Sequence, residues 1–167
     1  MSLRHLRRGM LLGIAWFVPV FLVGIGLEMG SEMLAHAVLP EVLRSRLQEV
    51  QDAASVSQFL GPMPLGRLVV VLVAGAIIIP IVEELCFRGF VYNAFRMRWG
   101  VAWGVAISAL IFAAAHFPLL AILPYLFLSV TLAVCYAKTG TLIAPITVHA
   151  LNNAIGIILA GFGIQEP

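Results

Sequence analysis

From Gly9 to Leu27 the chain runs through 19 residues without a charge. A helix that crosses a bilayer needs about 20 predominantly apolar residues. Comparable stretches recur from Leu65, from Val101 to about Leu120, from about Leu119 to Ala137, and from Leu142 to Phe162. A soluble domain is typically about 45–50% apolar and about 25% charged, whereas here 62% of residues are hydrophobic and 11% charged. A chain of 167 residues cannot bury that much apolar surface inside itself, so the bilayer must be its solvent. The sequence therefore predicts an all-α fold, a polytopic membrane helix bundle of about five transmembrane helices plus an amphipathic helix. Residues 1–64 hold the first span and the amphipathic segment, and residues 65–163 a helix bundle of the remaining spans. A formal net charge of +2 gives no ground for nucleic acid as a partner.

Arg4, Arg7 and Arg8 precede the first apolar run, as they would in a signal peptide. No A-x-A-like cleavage site follows it, and the run is long, so a retained span is expected. From Glu28 to Gly66 the character changes. Acidic residues cluster there, and Leu39, Val42, Leu43, Leu47 and Val50 recur at helical spacing. This predicts an amphipathic helix at the interface or over the bundle. Gly61, Pro62, Pro64 and Gly66 then break the chain. The second span, Leu65 to Arg98, would measure about 51 Å if fully helical, against a hydrocarbon core of about 30 Å. It must project or kink, and Pro80 is one place to do so. Cys86 and Cys135 each lie in an apolar stretch. They read as small packing residues, not a disulfide or a metal knuckle.

Five spans place the termini on opposite sides. The arginines before the first span, Arg96 and Arg98 between the second and third, and Lys138 between the fourth and fifth all fall on one side. By the positive-inside rule that side is cytoplasmic. The expected location is the cell membrane, with the N-terminus inside and the C-terminus outside.

Few ionisable residues lie within the spans, and intramembrane charge marks function by default. Glu84 and Arg88 stand at i, i+4 on one helical face, where an ion pair holds both charges. Glu83 points about 100° away and has no partner within its helix, which leaves it for chemistry. The bland alternative is an interfacial charged cluster. Phe112 and His116 form a second group, in which the histidine alone would be an ordinary interface residue. His149 and Asn153 share one face of the last span, where polar side chains also serve as helix–helix glue. The groups gain weight together because their depths agree. Glu83, His116 and His149 lie about 20, 22 and 16 Å from the cytoplasmic ends of their spans by helical rise.

This ordered set, E-E-x-x-x-R, F-x-x-x-H and H-x-x-x-N on successive membrane helices, resembles the CPBP family of CAAX proteases and bacteriocin-processing enzymes, also called Abi-domain proteins. The resemblance covers roughly Leu65 to Phe162. It implies an intramembrane endopeptidase of the glutamic type that cleaves membrane-associated protein or peptide substrates and needs no cofactor. Glu83 and His116 would activate water, His149 and Asn153 would stabilise the tetrahedral intermediate, and Glu84, Arg88 and Phe112 would support them. The alternatives are a zinc-dependent intramembrane metalloprotease using Glu83, His116 and His149, a non-catalytic membrane binding or immunity protein, and a small proton-coupled transporter. The sequence lacks the H-E-x-x-H pattern that places two zinc ligands and a base on one helix.

Overall fold

Apolar sequence becomes helix here because a backbone in lipid must satisfy its own hydrogen bonds. The computed structural model describes residues 3–54, 61–116, 120 and 122–163, and the side chains of 51–54 are not described. Helix α1 spans Leu3–Val38 and α2 spans Glu41–Ala54. Helix α3 is continuous over Leu65–Trp99, α4 covers Val101–Ala115, α5 Ile122–Thr139 and α6 Ile143–Gly161. α1, α3, α5 and α6 are long and apolar enough to cross a membrane, and α4 is a shorter apolar helix of 15 residues. The protein is a multi-pass membrane helix bundle.

The first span is longer than the uncharged run. Nothing between Leu27 and Val38 breaks a helix, so α1 carries Glu28 and Glu32 as well and stops only before Pro40, because the residue preceding a proline avoids helical geometry. The amphipathic helix is correspondingly shorter than the Glu28–Gly66 segment. It touches only α1 among the described elements, and Val42, Leu43 and Val50 are exposed, so α2 does not lie over the bundle. Cys135 is buried as a packing residue, but Cys86 faces outward from the bundle. Pro118 lies outside the described residues. Pro124 falls in the first turn of α5 and Pro145 in that of α6, where a missing N–H costs nothing.

The bundle is ordered by which helices meet. α6 packs against α1, α3 and α5, while α4 packs against α3 and α5. α1 meets α5 and α6 but not α3. One core joins Val20, Leu132 and Val148 with Trp16, Phe17, Phe127 and Leu128. A second joins Leu68, Ala76 and Ile157. The α1–α6 seam is close because Gly9 and Gly13 form a G-x-x-x-G step. A Cβ at Gly13 would stand 2.6 Å from Thr147 Cβ and 2.7 Å from the Ala144 carbonyl oxygen.

α3 accommodates its length and Pro80 without breaking. Two π-helical stretches, Val73–Ile78 and Leu85–Tyr92, flank the α-helical turn Ile79–Glu84. At the end of the first, the Ile79 N–H bonds to the Ala74 carbonyl, an i to i−5 step. Such π turns within α-helices are uncommon and concentrate at functional sites.

Candidate active site

Glu83 and Glu84 stand on the α-helical turn between the two π stretches of α3. The 100° between neighbouring residues gives them different surroundings. Glu84 is fully buried, and its Oε1 accepts from Arg88 Nη1 at 2.8 Å. Arg88 is equally buried, and its Nη2 donates to both the carbonyl and the hydroxyl oxygen of Ser129 on α5, each at 2.8 Å. Glu84 Oε1 also takes His149 Nδ1 at 2.9 Å. The ion pair expected from the i, i+4 spacing is therefore present, and it belongs to a larger network joining α3, α5 and α6.

Glu83 is one-quarter exposed and meets two imidazoles. His116 Nε2 lies 3.7 Å from its Oε1, and His149 Nε2 lies 3.5 Å from its Oε2. These separations exceed direct hydrogen-bonding range. Glu83 Oε2 is buried without a hydrogen-bond partner among the described residues, and a buried polar atom of that kind calls for an explanation.

Both histidines are oriented through their other nitrogen. A carbonyl can only accept, so His116 Nδ1 donates to the Phe112 oxygen at 2.8 Å. His149 Nδ1 is turned to Glu84. In each case Nε2 is the nitrogen left facing Glu83. Phe112 packs against the whole group. Its ring stacks on His116 at 4.2 Å, meets His149 edge-on at 5.7 Å, and lies 4.9 Å from the Arg88 guanidinium carbon. Tyr125 adds a ring contact to His116 at 5.3 Å.

The structure thus brings Glu83, Glu84, Arg88, Phe112, His116 and His149 together. Asn153 is elsewhere: one turn beyond His149 on α6, its Nδ2 donates to the Gly75 carbonyl at 3.0 Å. Sequence reasoning missed Ser129, Tyr125 and the Glu84–His149 bond. Ser129 had a signal, a hydroxyl within an apolar span. The bond had none, since both residues already had plausible partners. Among the described residues no group of three or more His, Cys, Asp or Glu side chains is placed to share a metal ion.

A family model described as Type II CAAX prenyl endopeptidase Rce1-like matches residues 65–155. The chain belongs to this family. The match takes in the whole of the cluster, from Glu83 to His149, and Asn153 beyond it. An uncharacterized 24.3 kDa protein of Escherichia coli is 32% identical over 152 residues, covering 86% of this chain and 70% of that protein. The membrane-embedded CAAX protease MroQ of Staphylococcus aureus (strain USA300) is 29% identical over 149 residues, 86% of this chain and 58% of that protein. The protein named "Putative membrane peptidase YdiL" of Bacillus subtilis (strain 168) is 26% identical over 112 residues, 67% of this chain. The match covers 44% of the Bacillus protein, so the chain spans less than half the length of that relative. No solved structure matches the chain.

Proposed function

We propose that this member of the family is an intramembrane endopeptidase that cleaves membrane-associated proteins or peptides with a water activated by Glu83. The observation that carries the reading is the approach of two anchored imidazoles, each through Nε2, to one carboxylate whose inner oxygen has no donor of its own. A water held beside these groups would give one proton to Glu83, and its oxygen would attack the peptide carbonyl. The proton would then pass to the amide nitrogen as the carbon–nitrogen bond breaks. His116, with Nδ1 fixed on Phe112, keeps Nε2 available to orient the water. His149 in its doubly protonated form holds one N–H on Glu84 and offers the other to the developing oxyanion. Glu84 is then the group that aims His149, and Arg88 balances its charge. The mechanism uses no metal.

The basic residues Arg4, Arg7, Arg8, Arg96, Arg98 and Lys138 support a cytoplasmic N-terminus and an external C-terminus. The relatives' names support a lipid-modified or otherwise membrane-held protein as substrate. The test compares the membrane proteins of cells carrying the wild type with those of cells carrying Glu83→Gln. Loss of a general base costs about 10²–10⁴ in rate, so at least one membrane protein should persist uncut in the mutant alone. Identical protein patterns in the two strains, with both forms expressed and folded, would sink the reading.

A further inference from the structure

The structure assigns Asn153 a positioning role: it caps the Gly75 carbonyl that the π turn and Pro80 together leave without a backbone donor. In an α-helix the Gly75 carbonyl would accept from the N–H of residue 79, and in a π turn from that of residue 80. The Ile79 N–H bonds to Ala74, and residue 80 is a proline, which has no N–H. Both backbone donors are thereby removed. Asn153 Nδ2 supplies the missing one from the neighbouring helix at 3.0 Å.

The approach that allows this is itself built into the sequence. A Cβ at Gly75 would come within 2.7 Å of Ile157 Cδ1. Ile157 lies one turn beyond Asn153 on α6, so the absent side chain lets that face of α6 come down on the π turn. The second π stretch uses the same chemistry. Asn93 Nδ2 donates to the carbonyls of Arg88 and Gly89, each at 3.0 Å, while the Asn93 N–H goes to Phe90. Each π stretch of α3 thus has an asparagine amide on its freed carbonyls. Glu83 and Glu84 lie on the turn between the stretches, and the rotation of that turn decides which carboxylate faces the two Nε2 atoms. His149 and Asn153 are one helical turn apart on α6. One turn therefore holds Glu84, and the next holds the backbone that leads into Glu83.

Only the activity arm of the test rests on the reading of Glu83 as the base. The variants are Asn153→Ala, Pro80→Ala and the two combined, purified in detergent. Alanine at position 80 restores an N–H at the i to i−5 position of Gly75. Asn153→Ala should lower the melting midpoint by about 4 °C and slow cleavage of an internally quenched prenylated CAAX peptide by about tenfold to a hundredfold. Adding Pro80→Ala should recover most of both losses. If the peptide is not a substrate, the midpoints still decide the matter, and the Glu83→Gln comparison above decides the function separately. Should Asn153→Ala fail to fold, recovery of folded protein in the double variant is the expected result. A double variant as impaired as Asn153→Ala, or an Asn153→Ala protein that melts like the wild type, overturns the assignment. An oxyanion donor or a plain packing residue would gain nothing from an N–H at position 80.

Discussion

α1 and α3 are nearly equal in length, 36 and 35 residues, and both are apolar enough to span a membrane. Each contains a proline, Pro19 in one and Pro80 in the other. α1 is α-helical throughout, whereas α3 passes through two π stretches. Its ionisable residues lie toward its ends, while Glu83, Glu84 and Arg88 lie within α3. α1 buries Gly9, Gly13, Val20 and Ser31, and α3 buries Glu84 and Arg88. A proline alone therefore does not produce a π turn. The irregular helix is the one that carries charge into the bundle and has asparagines to answer its freed carbonyls.

The contrast breaks most readily on charge. Glu84→Ala should destabilise the protein by about 3–5 kcal/mol, because Arg88 would be left buried and uncompensated. Glu83→Ala should leave the unfolding transition nearly in place and remove activity. Glu32→Ala on α1, an exposed position, should change nothing measurable. Denaturant unfolding of the three variants in mixed micelles checks this, and equal transitions for Glu84→Ala and Glu83→Ala would erase the distinction. Smaller is the effect of Gly13→Leu, about 1–3 kcal/mol from overpacking, read in the same assay. Since Gly13 packs on Thr147, two residues from His149 on α6, the folded fraction should also lose activity, and full activity in that fraction would show that the α1–α6 seam does not place the imidazole. Smallest is the effect of a strong chelator. Proteolysis should be unchanged after exhaustive treatment, and stoichiometric zinc whose removal abolishes cleavage would overturn the metal-free mechanism. A reporter fused after Pro167 should read as external, and a cytoplasmic reading would reverse the topology.

Much of this was legible in residue order. Apolar run lengths marked α1, α3, α5 and α6 because a bilayer fixes how long a span must be. Helical rise from the basic loops placed Glu83, His116 and His149 at one depth, and the structure brings these three side chains together. The i, i+4 step gave the Glu84–Arg88 pair. Other features were hidden because they depend on contacts between helices. Asn153 shares a face with His149, which suggested a common target, yet one turn of rise sends it to Gly75. The π stretches leave no periodic trace, since a single skipped hydrogen bond does not change which residues are apolar. The Gly9–Gly13 step was present in the sequence, but what it packs against was not.

The shortness of α4 bears on how the interior becomes wet. Fifteen residues rise about 22 Å, less than the roughly 30 Å of a hydrocarbon layer, and His116 caps the helix. The C-terminal end of α4 carries a one-quarter-exposed imidazole with Glu83 beside it. The proposed hydrolysis consumes one water for each bond cut, and the quarter of the Glu83 and His116 side chains that stays exposed is the surface through which that water must arrive.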